Sequence, residues 1–274
     1  MNLSQSDYSA FDIPEITMSL FYPRPDWRMP VMGQGAESHL IQVERDVTIG
    51  ARFCLAGKSC PNILFFHGNG EIVSDYEEMG LLYGQIGINF LPVDYRGYGR
   101  STGQPTVSAM MRDGHVILDY VRHWCKNQGF TGPFVVMGRS LGSAPAIDLA
   151  YHYPHFIDAL IIESGFAHIR PLLRLMGIDM PLYGLSEEQG PRNLEKIQQW
   201  DGPLLIIHAE YDQIISFGEG MALFEASPAK NKKMLKIPNA NHNDIFFQGI
   251  NAYLQAIREL ADQLAVEKTP TQSE

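Results

Sequence analysis

From about residue 60 onward the chain alternates short apolar runs with longer stretches of helical period, and no other feature restricts its fold as strongly. Runs at 63–66, 89–93, 134–137, 159–162 and 204–207 are largely apolar and bounded by turn residues, as strands buried on both faces must be. A shorter strand is expected at 234–237. Helical stretches separate them at 76–86, 107–126, 141–151, 218–226 and 243–264, the last carrying Ile250, Leu254, Ile257 and Leu264 at helical spacing. Strand–helix–strand units of this kind feed a mostly parallel sheet with helices on both faces, so the class is α/β.

Residues 41–55 alternate apolar and polar positions around Arg45-Asp46, which predicts an antiparallel hairpin at the edge of that sheet. Residues 1–40 are Pro- and Gly-rich and read as an extended lead-in, 41–265 as the main domain, and 266–274 as a flexible polar tail. Segment 165–202 is too long for a simple crossover and reads as a short inserted cap; the plainer alternative is one crossover helix with a long loop.

A chain of 274 residues that is 45% hydrophobic and 19% charged can bury a sizeable core, which rules out disorder. Its formal net charge of −10 repels polyphosphate and anionic headgroups, so no nucleic-acid partner is expected. Cys54, Cys60 and Cys125 are an odd, sparse set without a pairing framework, and read as buried or idle thiols of a reducing, cytoplasmic compartment. Residues 1–10 lack a basic segment followed by an apolar run, so no secretory signal is expected. The apolar stretch at 81–93 is interrupted by polar residues and falls well short of the ~20 needed to cross a bilayer.

The strongest local signal is Gly138-Arg139-Ser140-Leu141-Gly142, a G-x-S-x-G motif set directly between a predicted strand and a predicted helix. A sharp strand-to-helix turn there would lift the serine hydroxyl clear of the backbone, and the flanking glycines give the turn room to pack. A lone serine hydroxyl is a poor nucleophile near neutral pH, so a base must take its proton and a third group must orient that base. Asp212 lies in the loop beyond the 204–207 strand and His242 in the loop beyond the 234–237 strand. Ser140, Asp212 and His242 thus project from the carboxyl edge of one sheet, in the chain order this architecture uses. Glu163, at the end of the 159–162 strand, is the rival acid, while Asp94 reads as a structural loop carboxylate. Arg139 reads as an interior or rim cation paired with a carboxylate.

A tetrahedral intermediate needs preorganised donors at its oxyanion. The backbone N–H of Leu141 is the first candidate, and that of Asn69, in His67-Gly68-Asn69-Gly70 after the 63–66 strand, is the second, with Gly70 as the fallback. The cap segment carries apolar residues, Leu172 and Met176 among them, that could line an acyl pocket or simply pack on the main domain. His152-Tyr153-Pro154-His155 imitates a ligand spacing, but the proline breaks the helix that would align the rings, and no metal is expected. Neither a Walker-type loop nor a G-x-G-x-x-G turn opening a helix is found, so no nucleotide cofactor is expected.

Together the elbow, the Asp94-Tyr95-Arg96-Gly97-Tyr98-Gly99-Arg100-Ser101 loop and His242-Asn243-Asp244 with its preceding strand resemble the α/β-hydrolase-fold serine hydrolases over about residues 40–265. The last of these resembles the branch that includes the α/β-hydrolase-domain protein depalmitoylases. The resemblance implies an α/β-hydrolase fold and hydrolysis of a small-molecule carboxylic ester or thioester through an acyl-enzyme on Ser140, with no cofactor. Depalmitoylases of that branch carry a lipidated N-terminal cysteine cluster, whereas the first cysteine here is Cys54, so no stable membrane anchor is implied. A non-catalytic ligand-binding module of the same fold is one alternative; an acyltransferase, lyase or C–C hydrolase using the same three side chains is another.

Overall fold

Each apolar run becomes a strand in the computed structural model, which describes residues 7–27 and 35–267. The strands are β1 (Ala36–Glu44), β2 (Val47–Cys54), β3 (Asn62–Phe66), β4 (Asn89–Val93), β5 (Phe134–Arg139), β6 (Ala159–Glu163), β7 (Leu204–Ala209) and β8 (Lys232–Ile237). They form one sheet in the order β1-β2-β4-β3-β5-β6-β7-β8. β1 and β2 are the expected hairpin, β2 runs antiparallel to β4, and every pairing from β4 to β8 is parallel. β3 pairs with β4 on one side and β5 on the other, so the winding reverses between β3 and β5. Open α/β sheets bind ligands outside the carboxyl ends of strands at such a reversal.

The helices are α1 (Pro14–Leu20), α2 (Glu77–Gln85), α3 (Val107–Gln128), α4 (Ser143–His152), α5 (Ile169–Leu175), α6 (Asn193–Ile197), α7 (Phe217–Ala226) and α8 (Ile245–Glu267). Successive strand side chains point to opposite faces, and the sheet therefore carries two cores. Leu64, Phe66, Val136, Leu160, Ile162 and Ile206 pack with Ile117 and Val121 of α3, Ile147 of α4 and Leu223 of α7. Ile63, Phe65, Val135, Met137, Ile161 and Ile207 pack with Tyr83 of α2 and Tyr253 and Ile257 of α8. Burial on both sides is why these strands read as continuous apolar runs rather than alternating ones. This is the α/β-hydrolase architecture.

The extended lead-in expected over 1–40 is corrected. A 3₁₀ turn at Ser9–Phe11 and helix α1 precede β1, which itself begins at Ala36. Pro14 stands at the start of α1, where its missing N–H costs nothing, and Ile16 and Leu20, one turn apart, are buried with Phe11 in the larger core. The segment is also pinned by polar contacts. Asp12 Oδ1 accepts from the Ser108 N–H in the first turn of α3 at 3.0 Å, and the Tyr8 hydroxyl donates to Asp148 of α4 at 3.2 Å. Residues 1–6 and 28–34 of the expected lead-in, and the expected tail beyond Glu267, lie outside the described residues.

Between β6 and β7, the segment expected as a cap holds α5, 3₁₀ turns at Met180–Tyr183 and Glu187–Gln189, and α6. Leu172, Leu173, Ile178, Met180 and Leu185 from this segment are buried in the larger core, while Leu175 and Leu182 face solvent. No helix among the described residues is long and apolar enough to cross a membrane.

Candidate active site

β5 runs straight into a 3₁₀ turn at Ser140–Gly142 and then into α4, and Ser140 holds a left-handed φ of 51°. A non-glycine residue at positive φ is strained and persists only where its surroundings enforce it. Here the glycines do so by permitting close approach. A Cβ on Gly138 would lie 2.2 Å from the Gly142 carbonyl oxygen, and one on Gly142 would lie 2.1 Å from the carbonyl oxygen of Phe66. The second contact seats the elbow directly against the end of β3, and so beside the turn that carries Asn69.

The structure brings Ser140, His242 and Asp212 together. Ser140 Oγ is 2.9 Å from His242 Nε2, and His242 Nδ1 is 2.7 Å from Asp212 Oδ2. An ionised carboxylate only accepts, so the Nδ1 proton faces Asp212 and Nε2 is left to accept from the serine hydroxyl. All three residues are buried, at 8%, 5% and 8% exposure respectively, in surroundings where water competes little for these bonds. Asp212 Oδ1 accepts from the N–H groups of Ile214 (3.0 Å) and Ile215 (2.8 Å). Burial pushes the Asp212 carboxyl up, but the hydrogen bonds it accepts from His242 and from the Ile215 N–H outweigh burial and hold it below the usual carboxylate range.

His208, not singled out from the sequence, lies behind Asp212. Its Nε2–H donates to the Ile215 carbonyl at 2.8 Å and lies 3.6 Å from Asp212 Oδ2, and burial pushes this imidazole below its ordinary value. It therefore stays neutral and braces the 212–215 turn. As the penultimate residue of β7, this histidine carries no periodic signal that could have marked it.

Glu163 is engaged elsewhere. Its Oε1 accepts from Arg139 Nη1 at 2.6 Å and its Oε2 from the Tyr253 hydroxyl at 2.5 Å. Arg139 is the buried cation expected, with two carboxylate partners, Glu163 and Glu71. Asp94 is tied to the main chain, accepting from the Val73 N–H at 2.9 Å, and Gly99 packs so closely on it that a Cβ there would lie 2.0 Å from its Oδ2.

Leu141 occupies the turn directly after Ser140, and Asn69 the turn directly after β3. The Asn69 side-chain oxygen accepts from the Tyr22 N–H and the Tyr98 hydroxyl, each at 2.7 Å, which fixes the residue from the side while Gly142 packs beneath the preceding carbonyls. Leu172 is buried and Met176 partly buried, both packed in the larger core.

Cys54, Cys60 and Cys125 form no disulfide, and burial pushes the Cys125 thiol up to about 11, out of reach of ordinary thiolate chemistry. Among the described residues, His115, Asp148 and His152 bring potential metal-ligand atoms within 4.8 Å of one another. His155 is not in that group. A cation is already present there, since Lys196 Nζ lies 2.6 Å from Asp148 Oδ1, and His115 Nε2 lies 2.9 Å from Asp148 Oδ2.

A mostly parallel sheet with a strained serine elbow after β5, and a histidine and a carboxylate beyond β8 and β7, defines the α/β-hydrolase class of fold and site. Comparison with known proteins agrees with that class. The family described as Serine aminopeptidase, S33 (Hydrolase_4) matches residues 57–184, a span that includes the elbow. Human alpha/beta hydrolase domain-containing protein 17B is 30% identical over 224 residues, covering 77% of this chain and 70% of the relative. An esterase of Pyrococcus furiosus has a TM-score of 0.67 at 18% identity, over 84% of this chain and 93% of that one. A soluble variant of Saccharomyces cerevisiae monoglyceride lipase has a TM-score of 0.65 at 17% identity, over 87% and 98%. The chain belongs to the α/β-hydrolase family, on the branch of that human 17B protein.

Proposed function

We propose that the protein is a serine hydrolase that cleaves a carboxylic ester or thioester through an acyl-enzyme on Ser140. The observation that carries this reading is the unbroken chain of hydrogen bonds from Ser140 Oγ through the His242 ring to Asp212, at 2.9 and 2.7 Å. Ser140 Oγ attacks the acyl carbonyl carbon while His242 Nε2 takes its proton, and Asp212 steadies the imidazolium that results. The Leu141 and Asn69 N–H groups stabilise the negative oxygen of the tetrahedral intermediate. His242 then returns the proton to the leaving alkoxide or thiolate as the carbon–oxygen or carbon–sulfur bond breaks, which leaves an acyl-Ser140 ester. Water, deprotonated by the same imidazole, attacks that ester and releases the acid.

The naming of relatives and neighbours as hydrolase, esterase and lipase supports an ester-type substrate over other acyl chemistry. Three cysteines without disulfides support a reducing, cytoplasmic setting. A fluorophosphonate probe should label the wild-type protein covalently at Ser140 and leave Ser140→Ala unlabelled. Labelling that persists in the variant overturns the reading. A chain-length series of p-nitrophenyl esters and acyl thioesters then defines the acyl group and the leaving atom.

A further inference from the structure

Arg139, the residue immediately before Ser140, is buried, and each arm of its guanidinium serves a different segment. Nε donates to Glu71 Oε1 at 2.8 Å, Nη1 to Glu163 Oε1 at 2.6 Å, and Nη2 to the backbone carbonyl of His242 at 2.9 Å. Glu71 passes the connection on. Its Oε2 accepts from the Gly68 N–H at 2.6 Å, one residue before Asn69, and also from the Tyr76 hydroxyl. Glu163 passes it on as well, through the Tyr253 hydroxyl on α8, the helix that follows His242.

A core ion pair alone does not require this arrangement. Burying a guanidinium and the Glu163 carboxylate, and partly burying that of Glu71, costs desolvation that well-packed apolar side chains avoid. What the planar fork supplies in return is direction, since its donors are fixed relative to one another. Those directions end on the loop that bears the base and the turn that bears the Asn69 N–H.

The geometry points to Arg139 as a positioning residue that locks the His242 loop and the 68–71 turn to the elbow, so that nucleophile, base and oxyanion donor keep one relative geometry. This inference rests on the proposed hydrolase reading and assigns it a residue that touches none of the reacting atoms. Burial alone would push the Glu71 carboxyl up, yet the Arg139 charge and the Tyr76 hydroxyl hold it down at about 2, so the link stays charged across the working range.

The test compares wild type, Arg139→Met and Arg139→Lys by kcat and KM on an active p-nitrophenyl ester or acyl thioester. A second reading is the low-field N–H proton resonance of the His242–Asp212 pair, assigned by its loss in Asp212→Asn. In Arg139→Met, kcat should fall about 10²-fold with KM unchanged, as a small misplacement of catalytic groups produces, and the resonance should shift or broaden. Arg139→Lys returns the charge without the fork, so it should recover the melting temperature but neither kcat nor the resonance.

Wild-type kcat and resonance in Arg139→Met, or their full recovery in Arg139→Lys, overturn the inference. If Arg139→Met does not fold, Arg139→Lys decides by the same two readings. A wild-type protein that turns over no ester or thioester and takes no fluorophosphonate label refutes the hydrolase reading instead, and the resonance still decides whether Arg139 places His242.

Discussion

Glu163 ends β6 and Asp212 lies just beyond the end of β7, its neighbour in the sheet, so position along the strands does not separate them as partners for His242. Hydrogen bonds do. Asp212 Oδ2 meets the imidazole, whereas both Glu163 oxygens are taken by Arg139 and Tyr253. Asp212→Asn should therefore lower kcat by about 10⁴, because the amide favours the wrong tautomer. Glu163→Gln keeps an acceptor for Arg139 and should lose far less. Equal losses in steady-state kinetics on one ester would place the acid elsewhere. Ser140, Asp212 and His242 were legible in the sequence because each lies directly past a recognisable strand, and strand ends of one parallel sheet share an edge. The partners of Arg139 were not. A carboxylate was expected for it, but Glu71 and Glu163 are brought to it by tertiary packing, which leaves no spacing to read.

At the scale of elements, the strands that form the central sheet agree with the sequence reading to within a residue or two, because burial on both faces makes each one an apolar run. The N-terminal segment is where that reading is corrected. Its signals were present but short: Pro14 at a helix start, and Ile16 and Leu20 four apart, in a stretch whose Pro and Gly content suggested extended chain. Helix α1 is only seven residues long and would not persist alone in water. Docking stabilises it, since Phe11, Ile16 and Leu20 fill the larger core and Asp12 and Tyr8 bond to α3 and α4. Ile16→Ala should cost about 2–5 kcal/mol in urea unfolding, the range for truncating a fully buried aliphatic side chain. A cost below about 0.5 kcal/mol, the level of an ordinary surface substitution, would mean that the segment lies on the domain without contributing to it.

Across the whole molecule, three carboxylates at junctions between elements, Glu71, Asp148 and Asp212, are held in their charged form against the penalty of burial. For Glu71, burial is outweighed by Arg139 and Tyr76, which hold it at about 2. For Asp148, burial is likewise outweighed by His115 and Lys196, and for Asp212 by His242, leaving both below the usual range. In the unfolded chain all three return to ordinary values, about 4.3 for Glu and 3.9 for Asp. The unfolded state then binds protons first as pH falls, so stability is fully present above those values and is lost as the medium approaches the folded-state values. The window for Glu71 runs from about 4.3 down to about 2. Urea unfolding at a series of pH values should show a midpoint that is level near neutrality and drops steeply through that window. Glu71→Gln and Asp148→Asn should each lower stability at neutral pH and flatten the acid slope, because each removes one proton from the difference between states. An acid slope unchanged in both variants would mean that other carboxylates govern the transition. Since Glu71 leads through Arg139 to the His242 loop, and Asp148 joins Tyr8 of the N-terminal segment to α3, α4 and α6, acid should release the loops around Ser140 and the N-terminal segment over overlapping pH ranges.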